Sequence, residues 1–205
     1  MKTLDVDTPT GPARVHLRPA DQPRGGVALG HGAGGGVEAV DLVAATDGAL
    51  DSGFSVALIE QPYRVAGKRA PAAAKRLDEA WIAVLEHLRS EQLAGLPLVV
   101  GGRSLGARVA CRTIGETGGV AALCLAFPLL PPRRGERQPQ SRLSELDAVK
   151  LPVLIVQGKS DRFGMPPAGR NRKVVQVRGD HSLKSDTDAV TGAVGDWLSG
   201  LRLGG

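Results

Sequence analysis

The sequence predicts an α/β fold in which a mostly parallel central sheet is covered by helices on both faces. Short runs rich in Val, Leu and Ile alternate along the chain with longer segments of helical periodicity. The length of 205 residues and the hydrophobic content of 42% suit one core. We therefore assign residues 1–205 to a single domain.

The predicted strands are short apolar runs that end in glycine or a polar loop, and the predicted helices are longer and mixed in polarity. The longest helix begins at Pro71 and extends to about Gln92, because its apolar residues recur at helical spacing from Leu77 to Leu88. The other elements, in chain order, are a hairpin at 4–6 and 13–18, a strand at 26–29, a helix at 37–50, strands at 54–59 and 96–100, a helix at 105–114, a strand at 120–127, a loop at 128–140, a helix at 141–149, strands at 153–156 and 173–177, and a helix at 186–201.

The chain is basic, with a formal net charge of +5. No nucleic-acid motif accompanies this charge, and an aromatic content of 3% disfavours single-strand binding. We expect most of these cations at a solvated surface, while some steer anionic substrates towards a cleft. The positive side chains cluster at Arg64, Lys68 and Arg69, at Lys75 and Arg76, at Arg133, Arg134, Arg137 and Arg142, and at Lys159, Arg162, Arg170, Arg172 and Lys173.

Two features bear on the cellular compartment. The N-terminus lacks the apolar core of a secretory signal, and Pro128 interrupts the longest apolar run, 120–130. Cys111 and Cys124 fall on a predicted helix and a predicted buried strand, where small reduced thiols are more common than a disulfide or a metal site. We expect a cytoplasmic protein without membrane segments, metal or cofactor.

The most informative motif is Gly102-Arg103-Ser104-Leu105-Gly106, which fits G-x-S-x-G between a predicted strand and a predicted helix. A strand that turns sharply into a helix holds the serine in a strained conformation, and a Cβ two residues away on either side would crowd the turn. The hydroxyl of Ser104 then stands at the end of the strand, beside the free N–H groups of a helix N-terminus. The motif predicts that Ser104 is a nucleophile.

A serine nucleophile needs a base and an acid that orients the base. His181 follows a predicted strand and precedes the last helix, so it is the candidate base; His16 and His87 lie away from such a position. Asp161 leaves the strand at 153–156 and is the candidate acid. Asp180 is the competing acid, but side chains of adjacent residues in an extended loop diverge, so we favour Asp161.

The loop His31-Gly32-Ala33-Gly34-Gly35-Gly36 follows the central strand directly. Its glycines let a backbone N–H point into the site, and the N–H groups of Ala33 and Leu105 would then form an oxyanion hole. A phosphate loop is disfavoured because no Gly-Lys-Ser/Thr follows, and a plain flexible connection remains an alternative. We expect His31 to hold this loop in place without taking part in the chemistry.

With these motifs in the order Ser104, Asp161, His181, the chain resembles the α/β-hydrolase superfamily. It is most similar to small dienelactone-hydrolase-like predicted hydrolases that have a minimal cap or none. Resemblance to one poorly characterised set rests on Gln61-Pro62-Tyr63-Arg64, on Gly67-Lys68-Arg69 and on Arg103. Dienelactone hydrolases use a cysteine nucleophile, whereas this chain has Ser104.

The resemblance implies a serine hydrolase that cleaves a small ester through an acyl-enzyme on Ser104. The loop after the strand at 54–59 would reach over the same end of the sheet, so Tyr63 could line the pocket and Arg64 or Lys68 could bind a substrate carboxylate. The substrate is then a small, possibly anionic ester, and solvated surface cations are the alternative interpretation. The same triad would support an acyltransferase or perhydrolase, and a non-catalytic interaction domain is the other alternative.

Overall fold

The computed structural model describes residues 2–132 and 140–203, which form one eight-stranded sheet and six helices. In chain order the elements are β1 Lys2–Val6, β2 Ala13–Arg18, β3 Gly25–Gly30, α1 Val40–Asp51, β4 Phe54–Glu60, α2 Pro62–Val65, α3 Ala74–Ser90, β5 Leu98–Arg103, α4 Leu105–Thr117, β6 Ala121–Leu125, α5 Leu143–Asp147, β7 Val153–Gly158, β8 Arg172–Val177 and α6 Thr187–Gly200. The predicted α/β class is confirmed.

The strands follow the order β1-β2-β4-β3-β5-β6-β7-β8 across the sheet. Strands β3 to β8 are parallel to one another, and only the leading β1 and β2 run antiparallel to their neighbours. Parallel strands place their carboxyl ends at one edge of a sheet. The loops after β3, β5, β7 and β8 therefore meet at this edge.

Helices cover both faces of the sheet, as predicted. Neighbouring residues of β5 point to opposite faces: Val100 packs in the core with Trp81 of α3, whereas Val99 packs with Leu42 of α1 and Leu198 of α6. All five of these side chains are fully buried. Helices α4 and α5 complete the α3 side, so two apolar layers hold the sheet rigid beneath its carboxyl edge.

Strands β5 and β6 differ from the prediction at their ends. Strand β5 begins at Leu98 instead of residue 96, because Pro97 has no N–H to donate to the sheet. It extends to Arg103, directly before Ser104. Strand β6 ends at Leu125 instead of residue 127, because Ala126 takes a left-handed φ of 48°.

Helix α3 begins at Ala74, so the predicted start at Pro71 is wrong. Pro71 and Ala73 instead line a cavity, and the backbone of Ala73 is extended. The short helix α2 (Pro62–Val65) was not predicted. Helix α1 begins three residues after the predicted start, and α5 is shorter than predicted.

Three further predictions concern the loop at 128–140, the cysteines and the membrane. Residues 133–139 of that loop, with Arg133, Arg134 and Arg137, lie outside the described residues. Cys111 and Cys124 are buried free thiols, with their Sγ atoms 3.6 Å apart. Of the helices in the described ranges, none combines the length and the apolar composition needed to cross a bilayer.

Candidate active site

Ser104 stands in the sharp turn between β5 and α4, with φ 51° and ψ −100°. This is a conformation that L residues rarely adopt, and it requires close support from the surrounding backbone. The support comes from β3: a Cβ added to either Gly102 or Gly106 would collide with the carbonyl oxygen of Gly30. Both glycines of the motif are therefore required for the turn, as the sequence predicts.

The structure brings Ser104, His181 and Asp161 together in one hydrogen-bonded line. The Nε2 atom of His181 lies 2.9 Å from Ser104 Oγ, and its Nδ1 atom lies 2.7 Å from Asp161 Oδ2. The carboxylate of Asp161 is fully buried, whereas the imidazole of His181 is 19% exposed. In this geometry the Nδ1–H group donates to Asp161, which leaves Nε2 free to accept the Ser104 proton.

Asp161 is held by two further donors, one of which the sequence analysis missed. The backbone N–H of Phe163 donates to Oδ1 at 2.9 Å, and the side-chain Nε2 of Gln157 donates to Oδ2 at 2.8 Å. Gln157 is fully buried in β7 and also contacts the carbonyl oxygens of Phe127 and Gly164. A single amide in an otherwise apolar strand is the signal that could have identified it, because a buried amide needs partners.

Asp180, the competing acid, makes no contact with the imidazole among the hydrogen bonds of the described residues. Its Oδ1 atom accepts from the backbone N–H of Ser182 at 2.9 Å and from the Ser182 hydroxyl at 2.6 Å. These hydrogen bonds lower the pKa of the Asp180 carboxyl below its ordinary value. Asp180 shapes the turn around His181, and Asp161 takes the position beside the imidazole.

His31 orients the peptide that carries the predicted oxyanion donor. Its Nδ1–H donates to the carbonyl oxygen of Gly32 at 2.7 Å, and its Nε2 accepts from the backbone N–H of Gln61 at 3.1 Å. Because C=O and N–H point in opposite directions across a trans peptide, this bond turns the N–H of Ala33 away from His31. Burial lowers the pKa of His31, which keeps the imidazole neutral and Nε2 able to accept.

Ala33 and Leu105 both line the cavity that contains Ser104. The hydrogen bonds found among the described residues include none donated by the backbone N–H of either residue. Leu105 is the first residue of α4, whose N-terminal N–H groups have no partner within the helix and carry partial positive charge. Both predicted donors therefore remain available for a ligand oxygen.

Arg103 ties three parts of the site together. Its Nε donates to the buried Oδ2 of Asp41 at 2.7 Å, and its Nη2 donates to the carbonyl oxygen of His181 at 3.2 Å. A Cβ on Gly32 would lie only 2.5 Å from Arg103 Nη1, so the guanidinium also packs on the His31–Gly36 loop. Burial raises the pKa of Asp41, and the ion pair with Arg103 offsets part of that effect. No pattern in the sequence predicts this ion pair.

The cavity around Ser104 has a volume of about 370 Å³. Its walls come from the loops after β3, β6, β7 and β8, from the end of β5 with Ser104, and from the start of α4, as expected for the carboxyl edge of a parallel sheet. The residues that line it are Ala33, Gly34, Arg103, Ser104, Leu105, Arg108, Pro128, Pro132, Arg142, Arg162, Phe163 and His181. Within the two described ranges, no cluster of three or more His, Cys, Asp or Glu residues could hold a metal ion.

The structure does not bring Tyr63, Arg64 and Lys68 into this cavity. Tyr63 and Lys68 line a second cavity of about 400 Å³, and Arg64 lines neither of the two. Tyr63 nevertheless contacts the site from behind, because its hydroxyl donates to the carbonyl oxygen of Ala33 at 3.2 Å. Burial raises the pKa of Tyr63, so this hydroxyl stays protonated at neutral pH. The predicted role of the three residues in substrate binding remains a prediction.

A family model described as an alpha/beta hydrolase domain matches residues 23–191. No curated protein sequence matches the chain significantly. Solved structures show where else this architecture occurs. One is XC6422 from Xanthomonas campestris, an α/β serine hydrolase without a lid, which is 20% identical with a TM-score of 0.70; the match covers 98% of this chain and 96% of that chain.

Two further structures are similar over nearly their whole lengths. Est1E from Butyrivibrio proteoclasticus is 15% identical with a TM-score of 0.77, and the match covers 97% of this chain and 98% of that chain. A dienelactone hydrolase from Anabaena variabilis is 16% identical with a TM-score of 0.74, and the match covers 96% of this chain and 95% of that chain. At these identities the likeness shows the fold, and any assignment of activity depends on the site itself.

Proposed function

Because the chain belongs to the alpha/beta hydrolase family, we propose that it is a serine hydrolase that cleaves a small ester through an acyl-enzyme on Ser104. The observation that carries this proposal is the line of hydrogen bonds from Ser104 Oγ through His181 to the buried Asp161. Est1E is also known with ferulic acid bound, and another structural neighbour is an esterase domain from Rhodothermus marinus. Because these likenesses show the fold, the choice of an ester rests on the triad and the predicted oxyanion hole.

Acylation begins when Ser104 Oγ attacks the ester carbonyl carbon and His181 Nε2 takes the hydroxyl proton. The carbonyl electron pair moves to oxygen, and the resulting oxyanion accepts from the N–H groups of Ala33 and Leu105. The tetrahedral intermediate then collapses. The bond to the leaving alcohol breaks, and His181 returns the proton to the departing oxygen.

Deacylation repeats these steps with water. His181 Nε2 takes a proton from the water molecule, the water oxygen attacks the acyl carbon, and the acid leaves as Ser104 recovers its proton. The imidazole carries positive charge in both steps. Asp161 stabilises that charge, and the hydrogen bonds from Phe163 N–H and Gln157 Nε2 keep its carboxylate oriented towards the imidazole.

Hydrolysis of p-nitrophenyl acetate by wild type, Ser104→Ala and Ser199→Ala tests the proposal. Ser199 lies on the exposed side of α6 and provides the matched loss of a hydroxyl. We expect Ser104→Ala to lower kcat by at least about 10⁴-fold while circular dichroism stays unchanged, and Ser199→Ala to retain wild-type rates. Retained turnover in folded Ser104→Ala would show that another group is the nucleophile.

A further inference from the structure

The walls of the Ser104 cavity are strongly cationic. Four arginines line it, and no Asp or Glu is among its lining residues in the described part of the chain. Two of the four have acidic partners behind the wall. Arg103 pairs with Asp41 at 2.7 Å, and Arg108 pairs with both carboxylate oxygens of Glu145, at 2.6 and 2.9 Å. These two arginines are therefore largely neutralised.

Arg142 is the third arginine of the wall. Its backbone N–H donates to the carbonyl oxygen of Leu129 and its Nη1 to that of Pro128, at 2.8 and 3.1 Å, so the side chain is held in place. The ion pairs among the described residues do not include it. Burial lowers the pKa of Arg142, and repulsion from Arg108 lowers it further, although Glu145 opposes the change. An anion bound here would relieve this unfavourable charge.

Arg162 is the fourth arginine and sits next to the proposed base. Its guanidinium carbon lies 4.9 Å from the ring centre of Phe163, and that ring packs edge-to-face on His181 at 4.5 Å between centres. Phe163 is itself fixed through its N–H bond to Asp161. Like Arg142, Arg162 is absent from the ion pairs of the residues that the structure describes. Its charge is thus placed in the lining of the cavity, next to the ring that packs on His181.

We propose that Arg142 and Arg162 form an anion-binding subsite, so that the substrate is an ester carrying a carboxylate or another oxyanion near the bond that is cleaved. This inference rests on the proposed serine hydrolase function and names the substrate class for that site. A planar guanidinium binds a carboxylate or phosphate through two parallel N–H bonds, which are stronger than bonds between neutral groups. Among the described residues, Arg142 and Arg162 line this cavity without an ion pair, and their charges match such a group.

Two pairs of esters test the subsite, each pairing a carboxylate with its neutral carboxamide. The pair 4-acetoxybenzoate and 4-acetoxybenzamide places the charge on the leaving group, and monophenyl glutarate and its amide place it on the acyl group. A third probe, 4-acetoxyphenyl phosphate, distinguishes a phosphate from a carboxylate as the preferred oxyanion. The measured quantity is the ratio of kcat/KM for the charged ester to that for the neutral one.

We expect wild type to favour the charged member of at least one pair by about tenfold. Arg142→Gln or Arg162→Gln should remove most of that preference, because each lowers kcat/KM for the charged ester more than for the neutral one. Arg142→Lys should keep part of the preference, because it retains the charge but not the paired donors. Arg170→Gln is the matched control, since exposed Arg170 precedes β8 at the opposite edge of the sheet.

Three results would overturn the subsite. These are a wild-type enzyme without preference in any pair, variants that slow charged and neutral esters equally, and an Arg170→Gln effect as large as that of Arg142→Gln. In each of these three cases, wild type still hydrolyses the neutral esters. Failure of the proposed function looks different, because folded wild type would then hydrolyse neither member of any pair, and the subsite would fail with it.

Discussion

Two cavities of similar volume lie at the carboxyl edge of the sheet, about 370 Å³ around Ser104 and about 400 Å³ beside Tyr63. Both carry cationic side chains, among them Arg142 in the first and Lys68 in the second. Only the first joins a strained nucleophile to a base and to free backbone N–H donors. Neither volume nor positive charge distinguishes these two cavities, whereas the hydrogen-bonded line through His181 belongs to the first of them.

His31 and Tyr63 link residues of the two cavities through hydrogen bonds. Their rings pack edge-to-face with centres 5.7 Å apart. The Nδ1–H of His31 donates to the carbonyl oxygen of Gly32, and the Tyr63 hydroxyl donates to that of Ala33. The Nε2 atom of His31 accepts from the N–H of Gln61, which lines the Tyr63 cavity. Residues of the second cavity therefore help to hold the His31–Gly36 loop, which lines the first cavity.

The largest expected effect comes from the acid of the Ser104 cavity. Asp161→Asn should lower kcat by about 10⁴-fold, because an amide in this place favours the wrong imidazole tautomer and cannot stabilise the imidazolium. Ester hydrolysis under saturating substrate measures the effect. Asp180→Asn is the matched control. It should change kcat by less than about threefold, as expected for a substitution at the surface. A larger loss for Asp180→Asn than for Asp161→Asn would assign the acid to Asp180.

An intermediate effect on kcat is expected from changes at His31. His31→Gln places a side-chain acceptor near the Gln61 N–H but loses the bond to Gly32, so it should lower kcat by up to about 10²-fold through a misplaced oxyanion donor. His31→Asn can still donate to Gly32 and should lose less. Steady-state kinetics with a neutral ester compares the two variants. Equal losses would mean that the Gly32 bond does not set the Ala33 N–H.

The same histidine should make stability depend on pH. Burial lowers the pKa of His31, so the unfolded chain takes up this proton at a higher pH than the folded protein does. The stabilisation that His31 gives the folded protein is therefore complete above its ordinary pKa of about 6.5. Below that pH, the free energy of unfolding falls by at most about 1.4 kcal/mol per pH unit. Urea unfolding at pH 7.5 and at pH 5.5 measures the free energy of unfolding of wild type and of His31→Asn. The difference between the two proteins should be smaller at pH 5.5. A constant difference would refute this linkage.

The smallest effect is expected from the second cavity. Lys68→Gln should shift the preference for charged over neutral esters by less than about twofold, since the side chain faces the Tyr63 cavity and exposed charges interact weakly. The carboxylate and carboxamide ester pairs measure it directly. A shift as large as that of Arg142→Gln would join the two cavities into one substrate site and restore the role that the sequence suggested for Lys68.

The sequence predicted the fold class and the meeting of Ser104, Asp161 and His181, because these depend on strand periodicity and on residues placed directly after strands. Strand ends at the carboxyl edge converge whatever the path of the loops between them. For the same reason the two glycines beside Ser104 could be interpreted correctly. Their close approach to β3 follows from the turn itself.

The sequence did not predict which cations reach the site. Tyr63 and Lys68 follow a strand end, but the short helix α2 turns this segment towards a separate cavity, and four residues give no helical periodicity to detect. Arg142 and Arg162 lie on irregular segments, where composition indicates only a basic surface. The Asp41–Arg103 pair is equally hidden, because no local pattern shows that residues 62 positions apart will form an ion pair.

Covalent labelling by a fluorophosphonate, followed by mass spectrometry of the peptides, tests most directly whether Ser104 is an activated nucleophile. An activated serine beside a neutral base reacts with this reagent, whereas an ordinary hydroxyl does not. We predict one phosphonyl adduct per chain, carried by Ser104 and absent from Ser104→Ala but present in Ser199→Ala. An unlabelled, well-folded wild type, or an adduct on another residue, would contradict the assignment of Ser104 as the nucleophile.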